Sequence, residues 1–479
     1  MSVLNVPGFD LQPSAQRVPL KSNYITNFDF LNQYLPDTYE KEFERYGNRT
    51  IASFLRMVGA EMPSNSDLIK WAEQGRLHTK YVKCTTAALI NADEADFTIG
   101  DAGVPAFGAS NSIAIRKGQT VYISDNAGGG SAKAVVTKVD YATKVVSVAF
   151  YDNNGLPVAG AGLEFTMFIY GSEFRKGTVG MEDSLEADDF IFENSPIIIK
   201  DKYAVSGSDM AQIGWVEVTT ENGANGYLWY MKSEHETRLR FDDYLETAMI
   251  EAVPAGANSG AATQAVAGAE MVGNKGSDGI FYAVEQRGNI WGGGNPTILA
   301  DWDSIISRLD KQGAIEENVV FVDRDFSFDI DDMLSQQSSN AAGGVSYGLF
   351  DNEKEMALNL GFTGFRRGYD FYKSDWKYLN DPTMRGGLPT GAGSGRVNGL
   401  LVPAGSTSVY DQILGKNAKR PFLHVRYRAS ETEDRRYKTW ITGSAGGAET
   451  SSLDAMEVHF LSERAVCTLG ANNFFLFQE

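Results

Sequence analysis

Four sets of residues have types that could do chemistry. Gly344-Val345-Ser346-Tyr347-Gly348 fits G-x-S-x-G, the elbow that presents a nucleophilic serine, and His424 or His459 lies downstream as a candidate base. That elbow works only as a sharp turn at the end of a buried strand. Here it follows the polar string LSQQSSNAAG, so an ordinary Gly/Ser loop is expected. Asp323, Asp325, Asp329, Asp331 and Asp332 offer oxygen ligands to a hard cation, but their spacing lacks the central glycine and periodicity of a calcium loop, and a solvated acidic loop is expected. No two of His78, His235, His424 and His459 fall at metal-ligand spacing on one helix or turn. Cys84 and Cys467, the only thiols, have no local base or positive helix end, so both read as packing residues. Neither G-x-x-x-x-G-K-[ST] nor a strand-borne G-x-G-x-x-G occurs. No catalytic, cofactor or metal-binding residue is expected.

Two charge runs are better candidates for function. Glu182, Asp183, Glu186, Asp188, Asp189 and Glu193 fall together without an intervening cation. They suit a solvated face or an acidic contact surface. Between Lys416 and Lys438 the balance reverses: Lys416, Lys419, Arg420, Arg426, Arg428, Arg435, Arg436 and Lys438 outnumber Glu431, Glu433 and Asp434. Three readings stand for this run: an exposed sheet face, a salt-bridging surface toward another subunit, or a contact with nucleic acid.

The elements that must carry these runs are mixed. Residues 1–75 read as an extended arm punctuated by Pro7, Pro13, Pro19 and Pro36, with a short amphipathic helix within Tyr39–Met62. Residues 112–170 alternate in short strands separated by Lys117-Gly118, Asn126–Gly130 and Asn153-Asn154-Gly155, which predicts a small twisted β-barrel. Phe241, Tyr244, Leu245, Ala248, Met249 and Ala252 form one helical stripe, predicting a helix over Glu236–Ala252, extended back to Tyr227 if the pattern continues, and stopped by Pro254. A second helix is predicted from Pro296 to Gln312, with Asn295 as N-cap and Gly313 closing it. A buried strand follows at Val319–Val322. Strands then return at Leu400–Val402, Phe422–Tyr427, Tyr437–Ile441, Met456–Leu461 and Phe474–Phe477.

Length and composition bound the rest. The 479 residues exceed the ~150-residue prior for one domain about threefold, so several units are expected. A net charge of −19 argues against a chain whose whole surface grips phosphate, which needs clustered Lys and Arg. Fifty glycines against 14 prolines imply many tight turns, which helical bundles do not need. With two distant cysteines no disulfide framework is available, and a reducing compartment is the simpler reading. MSVLNVPGFD shows neither the basic nor the apolar region of a secretory signal, and no uncharged stretch is apolar enough to span a bilayer.

The order of these parts resembles the tailed-phage major capsid proteins of the Hong Kong 97-type fold, and the resemblance extends to the crAss-like phages. It rests on architecture across nearly the whole chain, not on a short signature. The phrase Pro196-Ile-Ile-Ile-Lys-Asp-Lys-Tyr-Ala-Val-Ser206, followed by the Glu236–Ala252 helix, is similar to the family's return from its E-loop into its spine helix. Pro296–Gln312 followed by Val319–Val322 is similar to part of its axial domain.

The resemblance implies an α+β fold: an N-terminal arm over residues 1–75, an E-loop region over 76–195 with the 112–170 barrel inserted, a peripheral domain over 196–275, an axial domain over 276–398, and a return to the peripheral sheet over 399–479. It implies a non-enzymatic structural protein without cofactors. Many copies would form hexamers and pentamers of an icosahedral shell around double-stranded DNA, with portal, scaffolding or auxiliary capsid proteins as partners. The shell would be assembled in the bacterial cytoplasm and kept in the virion, with no membrane partner. On that placement Glu182, Asp183, Glu186, Asp188 and Asp189 meet Arg426, Arg428, Arg435 and Arg436 between subunits. Two alternatives belong to other classes: a tail-tube or baseplate protein, and a secreted carbohydrate-active β-rich protein.

Overall fold

A computed structural model describes residues 60–75, 78, 80–91, 93–100, 113–153, 155–156, 163–182, 189–212, 217–219, 225–256, 259–263, 273–313, 315–340, 363–389, 391, 395–411, 416–445 and 450–479. Most of the arm, most of the Tyr39–Met62 stretch, the Gly344–Gly348 string, and Asp183, Glu186 and Asp188 lie outside them. The described part of the arm begins with strand: β1 spans Ala60–Ser64 and pairs in parallel with a strand near the C-terminus.

The chain divides into two compact units, Lys70–Phe192 and the remainder. The Lys70–Phe192 unit is entered through β2 (Ile69–Gln74) and left through β9 (Asp189–Asn194), which pair with each other. Between them lies a closed six-stranded barrel: β3 (Lys80–Asn91), β4 (Glu94–Ile99), β5 (Gln119–Asp125), β6 (Ser131–Asp140), β7 (Val145–Phe150) and β8 (Glu164–Ser172). Its order is β3-β4-β7-β6-β5-β8, closing β8 onto β3.

Residues 112–170 therefore supply only four of the staves and are not a barrel by themselves. Val121, Ile123, Val146, Val148 and Phe165 point inward on the strand period of two, but Tyr81, Cys84, Phe97 and Ile99 fill the same core. Phe168 and Tyr170 are exposed, because the odd-numbered Phe165 and Met167 take the interior.

The other unit stacks two sheets over a shared core. β1, β10 (Ile197–Ser206), β20 (Leu423–Arg428), β21 (Lys438–Gly443) and β22 (Ala455–Thr468) make the first sheet, in order β1-β20-β22-β10 with β21 also on β22. β11 (Glu217–Thr219) pairs β12 (Asn225–Tyr227) as a small hairpin. The second sheet runs β13-β23-β17-β14-β16-β15, made from β13 (Asn289–Gly292), β14 (Glu317–Val322), β15 (Gly364–Arg367), β16 (Tyr369–Asp375), β17 (Val397–Pro403) and β23 (Phe475–Gln478). β18 (Ser406–Asp411) and β19 (Lys416–Pro421) form a separate antiparallel pair.

Not all of residues 399–479 rejoin the first sheet. β17 and β23 belong to the second, where every residue of β17 is buried and one face packs helices. Both sides of β23 are used. Phe475 and Phe477 face Trp302 and Phe326 on the helical side, whereas Phe474 and Leu476 join the core that also takes Leu423, Val425 and Val466 from the first sheet. A strand apolar on both faces belongs inside a layered sheet, and this is the reason for its position.

The long helix runs from Leu228 to Glu251, about 36 Å at 1.5 Å per residue. Phe241, Leu245 and Met249 are buried, with Phe241 between Tyr437 (ring centroids 5.3 Å) and Phe460 (5.7 Å). Tyr244, expected in the same stripe, is exposed: the buried arc is narrower than the sequence pattern implies.

The next long helix begins at Leu299, not Pro296, and its N-cap is Ile298 without a side-chain cap. Asn295 bridges instead, donating to Asp329 Oδ2 at 2.7 Å and accepting from Asn398 Nδ2 at 2.8 Å. Gly313 closes this helix in the left-handed conformation, φ 70, as expected.

Candidate interaction surfaces

The five aspartates expected as a solvated loop build a helix. Asp323 is its buried N-cap, accepting from the Phe326 amide at 2.7 Å, and the helix runs Arg324–Asn340. Burial pushes the Asp323 carboxyl upward; the Phe326 amide and Arg396, 3.2 Å away, pull against it. Asp331 pairs with Lys373 at 2.6 Å, and Asp329 takes Asn295. Among the described residues no group of His, Cys, Asp and Glu is placed to hold a metal.

Both cysteines are buried, and burial pushes each thiol up to about 12, so neither is poised as a thiolate. His424 sits opposite Cys467 in the β20–β22 register. Desolvation holds its imidazole down to about 4, although the Pro421 carbonyl accepts a bond from it. A neutral histidine facing a protonated thiol is packing, not a nucleophile–base pair. His459 stacks on Trp440 (5.1 Å, 16°) and bonds Thr442 at 2.7 Å; His78 and His235 are exposed.

The basic run lies on β19, β20, the turn after it, and β21. Arg428 pairs with Asp67 and with Glu463 (3.5 Å), and Arg435 reaches Glu463 at 2.7 Å. Arg436 pairs with Glu61, which Arg464 also approaches at 3.4 Å. Lys438 and Glu433 pair at 2.8 Å, and the Lys438 ammonium holds the Glu433 carboxyl below its usual range. Arg426 is half-buried on β20, registered against Met62 and Ala465.

Three of these carboxylate partners, Glu61, Asp67 and Glu463, come from distant sequence, and Glu433 is local. Glu61 and Asp67 lie at the end of the arm, and Glu463 lies on β22. No string carries the parallel β1–β20 pairing, so sequence reading missed them. On the acidic side Glu182 is exposed, and Asp189 is exposed at the start of β9.

The described surface also carries large apolar side chains in the open: Val179, Ile191, Val253, Ile298, Phe328 and Tyr372 are each more than half exposed. No helix among the described residues is long and apolar enough to cross a membrane.

No family model and no curated protein matches the chain. Among solved structures it is similar to one from Microbacterium phage Oxtober96, at 9% identity and TM-score 0.40, covering 92% of this chain and 95% of that one. It is similar to the bacteriophage PhiM1 mature capsid at 9% identity and TM-score 0.32, covering 64% and 78%. It is similar to the SrpI encapsulin complex of Synechococcus elongatus at 10% identity and TM-score 0.30, covering 61% and 77%. None of these scores reaches 0.5, and none establishes a shared fold.

Proposed function

We propose that this chain is a shell-forming structural protein, the major capsid protein of a tailed phage with a Hong Kong 97-type fold, crAss-like origin included in the proposal. Copies associate as hexamers and pentamers that close an icosahedral shell around double-stranded DNA, made in the host cytoplasm with portal, scaffolding or auxiliary proteins.

The observation that carries this reading is the order of parts. An arm ends in β1 on the first sheet. A separate β-barrel unit is inserted between paired strands. The chain then returns through β10 into a 24-residue helix whose Phe241, Leu245 and Met249 are buried, builds a second sheet, and comes back to the first. One physical feature supports it. The net charge of −19 suits a wall that holds packed DNA without trapping it.

The acidic residues Glu182, Asp183, Glu186, Asp188 and Asp189 and the arginines Arg426, Arg428, Arg435 and Arg436 remain proposed contacts between subunits. Arg436, with 55% of its side chain exposed even while paired to Glu61, is the best placed to exchange partners. Sedimentation velocity of the purified full-length chain tests the reading. Boundaries far above a 52.3 kDa monomer support it, and a monomer that persists at high concentration contradicts it.

A further inference from the structure

The outer wall of the barrel carries a groove that shell formation does not explain. Lys133, Tyr122 and Phe168 stand in one cross-strand row of β6, β5 and β8. The Tyr122 and Phe168 rings pair at 5.1 Å. Tyr170 follows on β8, with the Lys133 ammonium 5.8 Å from its ring centroid, and Tyr151, beyond β7, donates its hydroxyl to Glu173. Tyr151 and Tyr170 are each 49% exposed. Outward positions on a solvated barrel strand are ordinarily polar, so four aromatics in one neighbourhood need another cause.

The floor supplies it. Thr120 is 5% exposed, and among the described residues no group bonds its Oγ1. A buried hydroxyl left unpaired costs free energy unless something else satisfies it. The residue paired with it is Gly171, where an added Cβ would stand only 3.2 Å from that oxygen, so a side chain there would press directly on the hydroxyl. Thr120, Lys133, Tyr151, Tyr170 and Glu173 together line an open groove of about 540 Å³, within the ~300–1,000 Å³ typical of small-ligand sites.

We propose that this groove binds a neutral saccharide. A pyranose has apolar C–H faces that lie flat on Tyr151 and Tyr170, and hydroxyls that both donate and accept. Lys133 Nζ and the Glu173 carboxylate present complementary groups at the surface, and Thr120 Oγ1 lies beneath them, reached when the side chains over it move aside. One ammonium and one carboxylate leave the groove without net charge. Single-stranded nucleic acid also stacks on aromatics, but it needs a cationic track for its phosphates, and the Lys70–Phe192 unit carries more carboxylates than Lys and Arg. The proposal does not depend on shell formation.

Saturation-transfer NMR on the full-length chain tests it, with maltose, lactose and N,N′-diacetylchitobiose as sugar probes and a 15-nucleotide oligo(dT) as the competing chemistry. The expected result is transfer to ring C–H protons of at least one sugar. That signal should fall at least fivefold in Tyr170→Ala and in Thr120→Val and persist in Tyr170→Phe, which keeps the ring. Thermal melts establish that each variant is folded, and Thr120→Val should melt no lower than the parent, since it removes an unpaired buried hydroxyl. Absence of transfer to all three sugars, transfer unchanged by Tyr170→Ala, or binding of oligo(dT) alone overturns the proposal.

Discussion

Arg435 Nε lies 2.7 Å from Glu463 Oε2, a carboxylate whose side chain is only 9% exposed and which Arg428 also approaches at 3.5 Å. Two arginines of the basic run are thus committed to one buried acid of their own chain. Neutralising Glu463 takes a shared acceptor from two arginines that are each about a third exposed, at a cost of about 1–2 kcal/mol. Glu463→Gln should lower the unfolding free energy of the dissociated chain by about that amount, read from urea midpoints at constant slope. An unchanged midpoint would mean the pair is incidental.

The pairing also changes how a charge reversal must be read. Arg435→Glu with Arg436→Glu is expected to destabilise the chain before any assembly step, through Glu463 and Glu61. Reversing Asp188 and Asp189 to Lys can restore particle yield only if the two runs also meet between subunits. Yield should be compared at matched folded fraction, at low salt and above roughly 0.15 M, where exposed pairs are screened. If the combined variant yields no more particles than the worse parent, the runs do not pair.

His424 gives a pH dependence of known sign. Its pKa falls from an ordinary 6.5 to about 4 on burial, so between those values the unfolded chain binds the proton and the folded chain does not. Its contribution is complete above about pH 6.5 and is lost as pH falls toward 4. A drop of about 2.5 units corresponds to roughly 3 kcal/mol at 1.36 kcal/mol per unit. Against the parent, His424→Gln should flatten the stability curve between pH 6.5 and 4. An identical slope in the variant would refute the assignment.

On the long helix, Phe241→Ala should cost about 3–5 kcal/mol, because it opens a cavity between Tyr437 and Phe460. Leu245→Asp should abolish folding, since it buries an unpaired carboxylate among Val458, Phe460 and Tyr203. Tyr244→Ala, at an exposed position, should change stability by no more than about 0.5 kcal/mol. Similar melts for Phe241→Ala and Tyr244→Ala would mean the wrong face has been taken as buried.

The barrel makes a deletion test with two arms. Replacing residues 75–188 by a short Gly/Ser linker should leave one cooperative unfolding transition in the remaining chain. Replacing only 112–170 removes four staves and strands Tyr81, Cys84, Phe97 and Ile99 without a core. That variant should aggregate. If the shorter deletion is well behaved and the longer one is not, the unit boundaries are wrong.

Much of the fold is legible in local pattern. The 3.6-residue stripe announces the long helix, Gly313 its neighbour's end, and alternation part of the barrel and the closing strands. What is not legible is non-local. β3 and β4 join the barrel through pairings with distant strands, such as Phe97 with Val146, which periodicity cannot register. Asp323–Asp332 reads as a charged loop because its apolar stripe, Phe326, Ile330 and Met333, is sparse and its decisive feature is a buried cap. The candidate contact surface was half visible: the arginines cluster in sequence, but Glu61, Asp67 and Glu463 meet them only through strand register. The Thr120 groove announces itself in no string, since an outward Tyr170 and an inward Phe165 differ only in parity.

Electron microscopy of the purified full-length chain, concentrated in low-salt buffer, tests the central claim most directly. Closed, icosahedrally symmetric shells are expected. Monodisperse monomers under all such conditions, or open tubes and rings in place of shells, would contradict it.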